Sequence, residues 1–121
     1  MTARRRILVI EDDASLATVL RIALDGKGYE VEAAADGRRG WEALGRRGAD
    51  AVLLDLALPE MTGMEILREL AGAGGERPPV VVMTAHGSVE SAVEAMKLGA
   101  AHYLVKPFDM DEMALGLERA I

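Results

Sequence analysis

The chain has 121 residues, half of them hydrophobic, with a net charge of −6 and a pI near 4.9. That is the size of one domain with enough apolar mass for a core, and the acidic balance argues against a surface that holds nucleic acid by its phosphates. It has no cysteine, which excludes disulfides and thiolate metal sites, and no apolar run approaches the ~20 residues of a membrane span.

Arg4-Arg5-Arg6 reads as a solvated start to a first strand, Ile7-Leu8-Val9-Ile10, whose continuous apolar run suits burial on both faces. Leu16, Val19, Leu20, Ala23 and Leu24 then recur as one face of a helix, which Gly26 and Gly28 end. Tyr29 to Ala33 alternates in polarity and predicts a half-exposed edge strand. Asp36 caps a second helix through about Arg46, with Trp41 and Leu44 facing inward. Ala51 to Leu54 is the third strand. Pro59 and Gly63 punctuate a loop before a helix from Met64 to Leu70, which dissolves in Ala71-Gly72-Ala73-Gly74-Gly75. Pro78-Pro79 leads into the fourth strand. Ser88 caps a fourth helix with Val89, Ala92, Val93 and Met96 on its inner face, and Gly99 stops it. His102 to Val105 is the fifth strand, and Asp109 caps the fifth helix. There is no internal repeat, linker or low-complexity segment.

Five strands alternating with five helices predict an α/β fold: a parallel sheet with helices on both faces. The expected strand order is 2-1-3-4-5, with its switch point between strands one and three. Ligands of such sheets bind just outside the carboxyl ends of the strands. Four polar signals stand at those ends: Glu11-Asp12-Asp13, Asp55, Thr84 and Lys106-Pro107. Two carboxylates ~4 Å apart repel by roughly 4 kcal/mol at an effective dielectric near 20, so a cation is expected among them. All-oxygen donors suit Mg²⁺ or Mn²⁺. A metal held by carboxylates beside a lysine and a threonine suits phosphate chemistry, and an aspartate can itself accept a phosphoryl group. There is no Gly-rich nucleotide loop, so the phosphoryl group is expected from a donor protein or small molecule. Asp13 reads differently from its two neighbours, as an acidic residue at a helix N-terminus favoured by the helix dipole. His86 and His102 read as structural or solvated residues.

Glu11-Asp12, Leu54-Asp55-Leu56-x-Leu58-Pro59, Met83-Thr84-Ala85 and Tyr103-Leu104-x-Lys106-Pro107-Phe108 together resemble the receiver domain of bacterial two-component response regulators. The resemblance runs over essentially the whole chain, residues 1–121. Thr84-Ala85-His86-Gly87-Ser88 and the stretch from Tyr103 to Asp109 are most similar to receivers of sigma-54-dependent, enhancer-binding (NtrC-like) activators. The resemblance implies that Asp55 is the phosphoacceptor, and that Glu11 and Asp12 hold Mg²⁺ with Asp55 and the main-chain carbonyl of Ala57, Asp12 being the more direct ligand. It implies that Lys106 pairs with Asp55 and then with the phosphoryl group, that Thr84 moves toward that group, and that Tyr103 rotates inward behind it. A cis bond between Lys106 and Pro107 is expected. Gly87 is expected to give the strand four–helix four loop its freedom. The side chains of Ala57 and His86 are expected to flank the water that removes the phosphoryl group. The implied partners are a sensor histidine kinase, an output domain C-terminal to this chain and, on phosphorylation, a second copy. No direct nucleic-acid or membrane contact is expected, and the expected location is the cytoplasm.

Rival readings fit the residues less well. A phosphatase of the haloacid dehalogenase type places Asp-x-Asp after its first strand, where this chain has Glu-Asp-Asp. A flavin carrier needs a phosphate loop and sandwiching aromatics, and only 3% of these residues are aromatic. A degenerate receiver that only binds proteins would not need Asp55, Thr84 and Lys106 intact. The alternative to an activator's N-terminal domain is a stand-alone receiver.

Overall fold

Buried strands lacking any polar alternation require cover on both faces, and the computed structural model, which describes residues 4–85 and 87–121, supplies it. Five parallel strands lie in the order β2-β1-β3-β4-β5. They are β1 Arg6–Ile10, β2 Glu30–Ala34, β3 Ala51–Asp55, β4 Val80–Thr84 and β5 His102–Val105. The helices are α1 Ala14–Asp25, α2 Gly37–Arg47, α3 Gly63–Gly72, α4 Val89–Lys97 and α5 Met110–Ala120.

Alternate strand residues feed two cores. Leu8, Ile10, Val52, Leu54 and Val82 pack with Ala43 of α2, Ile66 and Leu67 of α3, and Ala95 of α4. Ile7, Val9, Leu53, Val81, Met83 and Leu104 pack with Leu20 and Leu24 of α1 and Met113 and Leu117 of α5. Burying one such side chain stabilises by roughly 1.5–3 kcal/mol. Caps set the helix starts: the side chains of Asp13, Asp36, Thr62, Ser88 and Asp109 each accept a backbone N–H from the first turn. Gly40 lets α2 lie on β1, because a Cβ there would sit 2.5 Å from the Ile10 side chain.

Strand order and element count agree with the sequence reading, and several details differ. The edge strand begins at Glu30 rather than Tyr29. Val19 of α1 is 47% exposed instead of facing the core. α4 is rolled from expectation: Ala92 turns inward as predicted, but with Ala95 and Leu98, while Val89, Val93 and Met96 are exposed. The Ser91 hydroxyl meets the Tyr103 hydroxyl at 2.9 Å, and Glu94 pairs with Arg68. These two ties flank Ala95 and fix the roll. Arg6 is not solvated either. Its guanidinium bonds Glu30 at 3.3 Å and Glu32 at 2.9 Å, and its side chain is 16% exposed, because β1 and β2 pair with Arg6 opposite Glu30.

Candidate functional site

Register brings the four polar signals to one end of the sheet. Ile10 pairs with Leu54 and Asp55 with Met83, so Glu11 and Asp55 emerge side by side from adjacent strands. Met83 accepts the Leu56 amide at 3.0 Å and Thr84 accepts the Lys106 amide at 2.7 Å, which clamps the loops after β3 and β5 to β4. The bond between Lys106 and Pro107 is cis. Glu11, Asp55 and Thr84 are the buried polar or charged side chains among the described residues. All three belong to this end.

The three acidic residues of the first loop divide in role. Glu11 turns inward, 1% exposed, and its Oε2 accepts the Asp13 amide at 3.2 Å. Asp12 is exposed. Asp13 caps α1 by accepting the amides of Ser15 and Leu16. Carboxylate oxygens of Glu11, Asp12 and Asp55 lie within 4.8 Å of one another.

Among the described residues, Lys106 is the cation paired with this charge. Its Nζ donates to Glu11 Oε1 at 2.5 Å and to Asp55 Oδ2 at 3.1 Å. The Asp55 contact agrees with expectation, whereas the Glu11 contact spans 95 residues of sequence and had no sequence signal beyond the acidic run itself. The Ala57 amide donates to Asp55 Oδ1 at 2.9 Å. Both oxygens of Asp55 are thus held.

The carboxyls separate in acidity. Burial, and then hydrogen bonding to Asp55, push the Glu11 carboxyl up from 4.5 to about 7. Burial also pushes Asp55 upward, but hydrogen bonds from Glu11, the Ala57 amide and Lys106 outweigh it and hold Asp55 below the usual carboxylate range. Burial lowers Lys106, yet its bonds to the two carboxylates prevail and raise it, so it stays a cation. The result is an ionised Asp55 beside a carboxyl that holds a proton close to neutrality.

The remaining expectations fall around this centre. Tyr103 is half-buried, its hydroxyl on Ser91. Gly87 also serves close approach: a Cβ there would lie 2.8 Å from Val105 Cγ2. His86 lies outside the described residues. Gly63, whose Cβ would fall 2.2 Å from the Asp55 carbonyl oxygen, holds the start of α3 against the end of β3 and was read from sequence only as a loop marker.

Residues 7–118 match the family described as "Response regulator receiver domain". The chain is 40% identical over 121 residues to Regulatory protein AtoC of Escherichia coli (strain K12), covering 100% of this chain and 26% of AtoC. It is 45% identical over 115 residues to Transcriptional regulatory protein ZraR of Escherichia coli O157:H7, covering 95% of this chain and 26% of ZraR. The solved structure of the Vibrio cholerae chemotaxis protein CheY4 superposes with a TM-score of 0.89 at 30% identity, covering 98% of this chain and 100% of CheY4. The chain spans about a quarter of the length of AtoC and ZraR.

Proposed function

This chain belongs to the response regulator receiver domains, and from that premise we propose that residues 1–121 form a switch in which Asp55 accepts a phosphoryl group from a phosphohistidine of a sensor histidine kinase. The observation that carries this reading is the charge balance at the carboxyl ends of the strands. Three carboxyl groups stand about one ammonium, and once Glu11 gives up its proton the shortfall of two charges is that of one divalent cation. The donor set is all oxygen, which fits Mg²⁺ or Mn²⁺. Glu11, Asp12, Asp55 and the main-chain carbonyl of Ala57 would hold it. Asp12, exposed and clear of Lys106, is the most direct ligand. When bound, the cation neutralises charge on the phosphoryl oxygens.

The residues of the chain do the rest. Asp55 is ionised and held at both oxygens, so it meets the donor as an oriented nucleophile. Its oxygen attacks phosphorus, the P–N bond breaks, and the electron pair returns to the imidazole nitrogen of the donor. Lys106 follows the charge from the Asp55 carboxylate to a phosphoryl oxygen. The product adds about −1.5 to −2 charge at a buried point. Thr84, buried at the end of β4, donates its hydroxyl to a phosphoryl oxygen. Its shift makes room for the Tyr103 ring, which leaves Ser91. The response is a population shift read on the face of α4, β5 and α5. The partial coverage of AtoC and ZraR supports an output domain beyond this chain, and the name of ZraR supports transcription as its task, in the manner of sigma-54-dependent activators. The proposed location is the cytoplasm. No helix of the described residues is long and apolar enough to cross a membrane.

Intact mass after acetyl phosphate treatment tests the chemistry. One phosphate adduct is expected, dependent on Mg²⁺ and absent in Asp55→Ala. An adduct that persists in Asp55→Ala, or none on folded protein from either acetyl phosphate or a phosphorylated kinase, overturns the reading. Ala57 has no side-chain group to orient a hydrolytic water, so Ala57→Asn should shorten the lifetime of the adduct. An unchanged lifetime counts against that role for position 57.

A further inference from the structure

β3 and β4 are neighbours in the sheet, so the loops that lead into them lie side by side. α2 ends at one of these loops and α3 at the other. Between the two helix ends lies a hollow of about 560 Å³, within the roughly 300–1,000 Å³ of small-molecule sites. Trp41, Leu44, Leu70 and Pro79 form its apolar wall. Trp41 is half-buried. Gly45 lines the hollow too, and a Cβ there would meet nothing within 4 Å.

The rim of this hollow is negative. The last carbonyls of a helix have no intrahelical donor, and the macrodipole places about half a negative charge there. Two such ends meet here. Basic residues that could offset them are engaged elsewhere or missing: Arg46 and Arg47, in the last turn of α2, pair with Glu32 and Glu30, and α3 has no basic residue in its last turn. Asp50 and Glu76 also line the hollow, exposed and without an ion-pair partner among the described residues. The Arg6 amide holds one oxygen of Asp50, which leaves the second for a ligand. Arg77 borders the hollow, but its guanidinium rests against Gly99 just past α4, where it leaves no room for a Cβ.

We propose that this hollow binds a small organic cation, an ammonium carried on an aromatic body. Asp50, Glu76 and the two helix ends attract the ammonium, and the indole face of Trp41 holds it by a cation–π contact. The aromatic body displaces water from Leu44, Leu70 and Pro79. The same charges turn anions away. The hollow on the other side of Trp41 suits this ligand less well. Charged side chains of Arg38, Glu42, Glu60 and Glu65 surround Trp41 and Met61 there, and the positive starts of α2 and α3 border it. The proposed site stands at the opposite end of the sheet from Asp55, and its ligand needs no phosphoryl group.

The chain has one tryptophan, so the emission of Trp41 reports the hollow directly. Benzyltrimethylammonium is the probe, titrated in excess Mg²⁺ so that the acidic end of the sheet does not compete for it. A saturable change with its midpoint below ~1 mM is expected. Benzenesulfonate, of similar size and opposite charge, should give none. Asp50→Asn and Glu76→Gln, both at exposed positions, should each weaken binding about threefold. Glu42→Gln, on the other side of Trp41, should leave it unchanged. Gly45→Leu fills the hollow from an exposed helix position. It should abolish the response and keep the melting temperature, since leucine favours a helix more than glycine does. No saturable response, equal binding of benzenesulfonate, a larger loss in Glu42→Gln than in Asp50→Asn and Glu76→Gln, or undiminished binding by folded Gly45→Leu would each overturn the proposal.

Discussion

At the amino ends of the strands, Arg6 bonds Glu30 and Glu32, Arg46 reaches Glu32 at 3.5 Å, and Arg47 reaches Glu30 at 3.8 Å. Asp50 accepts the Arg6 amide at 2.7 Å. Three guanidinium groups there meet the two carboxylates of Glu30 and Glu32, with Asp50 held by the Arg6 amide. At the carboxyl ends, Glu11 and Asp55 pair with Lys106, and Asp12 beside them has no ion-pair partner among the described residues. Burial makes the contrast sharper: Glu11 and Asp55 are almost wholly covered, whereas Glu30 and Glu32 keep 48% and 29% of their side chains exposed. The less hydrated cluster is the one left short of cations, although desolvated like charges are the costlier arrangement. The guanidinium cluster pairs its carboxylates from within and serves packing. The other leaves its charge to be completed from outside.

Adding the missing charge should have the largest effect. At Mg²⁺ about 100-fold above its dissociation constant, stability should rise by about 2.7 kcal/mol, seen as a higher melting temperature. Asp12→Ala should lose most of that gain. A full gain in that variant removes Asp12 from the metal set. Unbalancing the other end comes next. Arg6→Met leaves Glu30 and Glu32 facing each other and should cost about 2 kcal/mol by urea titration, less than a fully buried pair because this one is partly solvated. No change in midpoint would mean that packing, not charge, holds that corner.

The smallest effect is a slope with pH. Glu11 has a folded value near 7 against 4.5, so its contribution is full below 4.5 and is lost as pH rises through about 7. Asp55 is displaced downward and Lys106 upward, so both titrate outside that window. Metal-free protein should therefore melt lower as pH rises from 4.5 to 7. Glu11→Gln should remove the slope and gain about 1 kcal/mol at about pH 8. An identical slope in that variant would mean that another group titrates.

Much of the carboxyl end was legible because each strand is a continuous apolar run stopped by a polar residue, and parallel topology aligns such stops. Asp55 and Lys106 were readable as partners from the resemblance. The contact from Lys106 to Glu11 was not, since an ammonium on a flexible stem chooses its partners by where the loop after β5 is pinned. The roll of α4 was illegible for another reason. Apolar residues lie on both candidate faces, and bulk favoured Val89, Val93 and Met96. The contacts that decide the roll come from Tyr103 and Arg68, far away in sequence. Arg6 failed as part of a charge run, because a strand's first residue takes its surroundings from register, not from its neighbours in the chain.

Glu11, Asp12 and Asp13 share a charge and stand in sequence, yet one points inward, one outward and one caps a helix. Surface loops ordinarily absorb insertions and deletions. This one has no spare length: Ile10 ends a central strand and Ala14 begins α1. Removing one residue would hand each acid its neighbour's task, moving the cap into the pocket or the pocket's carboxylate into solvent. Variation in loop length among descendants of this chain should therefore collect elsewhere, at turns such as Gly74-Gly75 before β4, while the three-residue step from β1 to α1 keeps its count.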